Sequence, residues 1–193
     1  MEQLLKIMSS IYPISDEVKE RFANAWTPIE FAKKQFILRE GHICRNIYFI
    51  EQGLARCFYV KGTTEVCTWF MMEGDLMISV ESFFQQTKAK ESIQALEDCR
   101  MYYISHHDLM ALYHEFKELN FIGRTLTEKY YILCEQRLYS IRMMKAQESY
   151  AYLMNHFPEI IRRVPCKYIA SYLGISEEYL SYIKRQAPIV KVS

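Results

Sequence analysis

Apolar positions recur along this chain in two textures. Leu4, Leu5, Ile7, Met8 and Ile11 follow helical spacing, and after Ser15, a residue suited to capping, Val18, Phe22 and Ala25 share a second helical face. Pro13 and Pro28 punctuate this stretch. From Ile29 to Ile104 the pattern shortens to runs of β-branched and aromatic residues, with glycines at 41, 53, 62 and 74. Turns at that interval predict an antiparallel sandwich or roll rather than a βαβ fold. Asn46 to Gln52 stops at Gly53, Leu54 to Val60 restarts the strand pattern, and Glu65 to Met72 returns as a hairpin partner after the Lys61-Gly62-Thr63 turn. Ser92 to Leu96 and Met101 to Ile104 complete the strands.

Ser105, with Asp108 three residues on, begins a helical pattern that runs, with a break near Asn120, through Met144. Between Phe121 and Met144 two apolar stripes can be drawn, Ile122-Leu126-Tyr130-Leu133 and Tyr131-Cys134-Leu138-Ile141. A surface helix of a monomer needs one stripe, so the second predicts contact with the same helix of a partner subunit, a homodimer through residues 121–144. The alternative is a helix sandwiched inside one domain.

Composition narrows the class. The 193 residues carry 24 Lys+Arg against 23 Asp+Glu, and half are hydrophobic, which excludes disorder and an extended nucleic-acid coat. Divided at Lys145, the sum separates into −2 for the first 144 residues and +3 for the rest, the sign expected of an acidic sensor joined to a nucleic-acid-binding end. The six cysteines are never closer than ten residues, so no metal or redox pair is spaced for chemistry, and buried free thiols are expected. No Ser/His/acid order, metal triad or phosphate loop appears, so neither catalytic residues nor a resident cofactor is expected. Glu2, Gln3 and Lys6 interrupt the first apolar stretch, which therefore reads as neither a signal core nor a membrane span; a cytoplasmic protein is expected.

The segment from Val164 to Arg185 carries the strongest functional signal. Ile169, Ala170 and Leu173 form the inner face of a short helix, Gly174 supplies the left-handed turn, and Ser176 caps a second helix with Glu177 and Glu178 in its first turn. Tyr179, Leu180 and Ile183 are its apolar candidates. This grammar predicts a helix-turn-helix whose second helix enters the major groove of double-stranded DNA. A plain αα-hairpin shares the same grammar.

Taken together, Ile37-Leu-Arg-Glu-Gly-His42, Tyr48-Phe-Ile-Glu-Gln-Gly-Leu-Ala-Arg56, Glu73-Gly-Asp-Leu76 and Ile93-Gln-Ala-Leu-Glu-Asp-Cys99, followed by the long helix and the motif above, resemble the Crp/Fnr family of bacterial transcription regulators, in particular a Bacteroidetes-type branch. The resemblance implies an α+β protein: a cyclic-nucleotide-binding-like β-roll over residues 1–118, a dimerisation helix over 119–144 and a winged helix-turn-helix over 145–193. It also implies RNA polymerase as a further partner. Relatives that bind cyclic AMP neutralise its phosphate with an Arg-Ser/Thr pair, and the corresponding residues here are Ala89 and Lys90. Without the guanidinium fork, cyclic AMP by the usual contacts is not expected. The roll is left to an unidentified small-molecule effector or to none; if a pocket survives, Glu81, Ser82, Lys88, Lys90 and Ser92 are its candidate contacts, with Tyr130 or Tyr131 closing over it. The DNA-facing candidates are Ser176, Glu178, Ser181, Tyr182, Lys184 and Arg185, with Lys167 and the neighbouring Arg162 and Arg163 positioning the backbone. Glu178 suits cytosine N4, whereas Glu177 and Tyr182 stand where the best-known relatives place guanine-reading arginines, so a different operator is implied. A module that docks protein through its C-terminal helices is the alternative function.

Overall fold

The computed structural model describes residues 1–186. Two helices, α1 (Glu2–Ile11) and α2 (Asp16–Asn24), precede eight strands. The strands are β1 (Thr27–Phe31), β2 (Phe36–Leu38), β3 (Asn46–Gln52), β4 (Ala55–Lys61), β5 (Thr64–Met71), β6 (Leu76–Met77), β7 (Ser92–Ala95) and β8 (Cys99–Ser105), with the short helix α3 (Val80–Gln85) between β6 and β7. They form two four-stranded antiparallel sheets, in the orders β1-β8-β3-β6 and β2-β7-β4-β5. The expected β4–β5 hairpin forms and turns at Gly62, pairing Lys61 with Thr64.

Between the sheets lies a core that includes Phe49, Ile50, Met77, Phe83, Ile93, Met101 and Ile104, each at most 1% exposed. Val18, Phe22, Leu4 and Met8 plug the N-terminal helices into the same core. Ser15 caps α2 by accepting from the Val18 amide at 3.3 Å. Gly53 ends β3 with φ of +106°, and a Cβ there would stand 2.6 Å from Cys99 Sγ and 2.8 Å from the Asp98 carbonyl oxygen. Only glycine satisfies both the left-handed backbone and that approach.

After the roll come α4 (His106–Glu115) and the 27-residue α5 (Lys117–Met143). Ser105 caps α4 as its sequence predicts, accepting from the Asp108 amide at 3.0 Å. The break between the two helices falls at Phe116, four residues before the expected Asn120, where the backbone turns extended. Four helices follow: α6 (Ala146–His156), α7 (Pro158–Arg163), α8 (Cys166–Leu173) and α9 (Glu177–Gln186). Pro158 opens α7, a position where its missing N–H is no loss. Any wing following α9 lies outside the described residues.

A second core binds these helices to the outer face of the β2-β7-β4-β5 sheet. Leu54, Phe58, Cys67, Phe70 and Leu96 of the roll pack with Leu153, Ile160, Val164, Ile169, Ala170, Leu180 and Ile183. Polar contacts reinforce the seam. Ser171 Oγ accepts from the Cys67 amide at 3.0 Å and donates to the Glu65 carbonyl at 2.8 Å. Arg163 reaches Glu73 at 2.7 Å and Glu97 at 2.6 Å. Arg56, 1% exposed, lies between the Phe58 and Tyr168 rings, 4.0 and 3.8 Å from their centroids, and pairs with Glu65 at 2.6 Å.

Candidate nucleic-acid interface and effector sites

Helices α8 and α9 realise the predicted turn. Gly174 adopts φ 70° and ψ 31°, and its N–H bonds the Ala170 and Ser171 carbonyls, closing α8. Ser176 Oγ accepts from the Tyr179 amide at 3.2 Å and starts α9. Burial of Leu180 and Ile183 fixes the rotation of α9, each worth about 1.5–3 kcal/mol. With that face inward, Ser176, Glu177, Glu178, Ser181, Tyr182 and Arg185 all point to solvent.

Tyr179 departs from its apolar assignment. It is 39% exposed, accepts from Gln147 Nε2 at 2.9 Å, and its ring stacks on that of Tyr182 with centroids 6.0 Å apart. Lys184 is half-buried and folds back to Cys166 Sγ at 3.0 Å, so its ammonium faces α8 rather than the outer side of α9. Lys167 is exposed, with its ammonium 4.7 Å from the centroid of the Tyr168 ring. Arg162 is exposed and paired with Glu159. Arg163, expected as a backbone contact, is instead committed to Glu73 and Glu97, because two carboxylates on the roll converge on its guanidinium.

The long helix divides its two stripes as expected. Ile122 is buried, Leu126 packs on the roll core, and Tyr130 and Leu133 turn toward the chain's own body. Tyr131 at 65% exposure, Leu138 at 47% and Ile141 at 63% stand on the opposite side with exposed Cys134. Their spacing of three, four and three residues is that of a coiled-coil seam. The other exposed thiol is Cys166; Cys44, Cys57, Cys67 and Cys99 are buried, and burial raises the pKa of each.

The roll's candidate ligand contacts are largely spoken for. Ser82 Oγ accepts from the Cys44 amide at 2.8 Å and donates to the Thr87 carbonyl, while Ser92 Oγ accepts from the Glu40 amide at 3.0 Å. Lys90 pairs with Glu81 at 2.8 Å on the surface, and Lys88 is exposed beside its bridge to Ile43. Ala89, at the place of the phosphate-binding arginine, is buried and bonded through its backbone to Gly41 and His42. Nearby stands a group that no sequence pattern singles out: Glu91 accepts from the Cys57 thiol at 2.8 Å, and its charge helps burial push Tyr59 up to about 12. A carboxylate therefore occupies this part of the roll. Tyr130 lies elsewhere, accepting from the Leu76 amide at 2.9 Å.

Among the described residues no His/Cys/Asp/Glu group is placed to hold a metal, and no helix is long and apolar enough to cross a membrane. The family model of the cyclic nucleotide-binding domain matches residues 28–116. Among curated proteins, none matches the sequence. Solved structures share the fold over most of the chain. FixK2 from Bradyrhizobium japonicum aligns with TM-score 0.70 at 16% identity, covering 83% of each chain. The c-di-GMP-responsive global regulator CLP from Xanthomonas campestris aligns at 0.68 and 14% identity, covering 89% of this chain and 91% of that one. A protein from Eubacterium rectale assigned to the Crp/Fnr family aligns at 0.69 and 13% identity, covering 92% and 87%. Residues 28–116 are thus similar to the cyclic nucleotide-binding domain, and with the long helix and the helix-turn-helix behind them the chain has the fold seen in the Crp/Fnr transcription regulators.

Proposed function

We propose that this protein is a homodimeric DNA-binding transcription regulator of the cytoplasm whose roll does not take a cyclic nucleotide by the usual phosphate contacts. The observation that carries the reading is the orientation of α9. Its apolar face is buried against α8 in the second core, and Glu178, Ser181, Tyr182 and Arg185 project together from the free face. That is the disposition of a helix that reads base edges, with Lys167 and Arg162 flanking it for phosphates. Lys184 would first have to leave Cys166.

Dimerisation supplies the second half-site. The Tyr131-Cys134-Leu138-Ile141 seam, paired with its copy, would set two α9 helices about 34 Å apart to meet successive major grooves. The two-residue joint Met144-Lys145 between α5 and α6 is the place where a signal in the roll would alter that spacing. In the roll, Ala89 offers no charge and Glu91 repels one, so an anionic cyclic phosphate loses both the attraction and the geometry it needs. Contact with RNA polymerase would follow from such a role.

Selection of bound fragments from genomic DNA with the full-length protein tests this and returns the operator. The expected fragments contain a two-fold-symmetric site, and binding weakens steeply with salt, by about 0.9 in the logarithmic slope per phosphate neutralised. A dimer that binds no DNA at low salt would overturn the reading in favour of a protein-docking module.

A further inference from the structure

Between the roll, the long helix and the DNA-binding helices lies a cavity of about 110 Å³. Its walls are mainly apolar and aromatic, among them Phe70, Leu133, Leu153 and Phe157. Into this lining projects Arg137 of α5, whose guanidinium stacks on Tyr172 at 3.5 Å from the ring centroid. Its hydrogen bond runs from Nη2 to the Tyr172 carbonyl, while the buried Nε has no partner. No carboxylate among the described residues lies within ion-pair distance of it, whereas Arg56 pairs with Glu65 and Arg163 with both Glu73 and Glu97. Asp75, the acidic residue in the wall, accepts from the Met72 amide at 2.9 Å. A half-buried cation with a buried, idle donor is costly to leave without an anion.

We propose that this junction binds a small monocarboxylate with an apolar, ring-sized body. A planar carboxylate fits the guanidinium through two parallel hydrogen bonds, and the aromatic walls take the rest. The cavity is smaller than the apolar one of about 150 Å³ that accepts benzene, so the body can be no larger than one ring, with its outer edge in the mouth beside Gln136. Exposed Gln136 in the lining marks the way in. The occupant would touch β5, α5, α6, α7 and α8 at once, and so would be an effector that sets the placement of the helix-turn-helix. That last step rests on the regulator function proposed above; the binding site itself does not.

Calorimetric titration of the full chain with benzoate, benzamide and acetate tests the site. Benzoate is expected to bind at micromolar to millimolar concentration, with the neutral isostere benzamide and the bodiless anion acetate each weaker by about tenfold or more, the size of a lost charge-assisted bond or a lost apolar body. Arg137→Lys, which keeps charge but not the fork, should weaken benzoate similarly, and Leu133→Phe, which fills the cavity, should abolish it. Equal binding of benzamide, unchanged benzoate affinity in both folded variants, or no heat at millimolar benzoate would overturn the site; should both variants unfold, the three-ligand comparison on the native chain still decides. If benzoate binds but leaves operator affinity unchanged in a protein shown to bind DNA, the effector role falls and the site stands. Failure to bind DNA at all would sink the regulator reading alone.

Discussion

Arg56 is an arginine buried in a seam of rings, and it holds its place because every face of it is answered: Glu65 and Gln94 take its N–H groups and Phe58 and Tyr168 cover its plane. Arg56→Ala should destabilise the chain by about 2–4 kcal/mol through lost packing and stranded partners, read as a lower urea midpoint. Gly53 is constrained from the other direction. Gly53→Ala combines a φ of +106° with a 2.9 Å approach to the Cys99 Cα, and is expected to cost more than about 2 kcal/mol by the same measurement. The need for a turn at Gly53 is legible in the sequence, because a strand pattern stops there. Its closeness to Cys99 is not, since nothing in the local sequence announces a neighbour 46 residues away.

At the scale of elements, legibility follows locality. Caps, the Gly174 turn and the heptad spacing depend on residues within a turn or two of each other, and Ser105, Ser176 and the divided stripes of α5 stand as their spacing implies. Tyr179 departs from expectation because the 3.6-residue period permits it on the buried face, whereas Leu180 and Ile183 are the α9 side chains buried in the second core beside α8. The exposed stripe of α5 makes a firm expectation: Leu138→Arg should convert a dimer to a monomer in sedimentation velocity without changing the circular dichroism of the fold. On α9, Tyr182→Ala, at an exposed position, should leave thermal stability within about 0.5 kcal/mol while altering operator preference in the fragment selection.

At the scale of the molecule, the charge division at Lys145 acquires a second meaning. The basic half does not keep all its charge for a partner, since Arg163 is bound by two roll carboxylates. The guanidinium holds Glu73 down to about 2 from an ordinary 4.5, so the folded state binds fewer protons than the unfolded chain in that range. The contribution is complete above about pH 4.5 and is lost as pH falls toward 2. Arg163→Gln should therefore flatten the acid limb of the stability curve, measured by denaturant titration between pH 5 and pH 2.5. Residues 90 apart make this contact, and no pattern in the sequence pairs them. The seam they guard also decides what can be made of the chain in parts. A chain cut short after Met144 would bare Leu54, Phe58 and Phe70 and uncover Arg56, so it should aggregate or melt earlier than the intact protein. The residues before and after Met144 are then halves of one folding unit, and neither half is expected to keep its stability when expressed without the other.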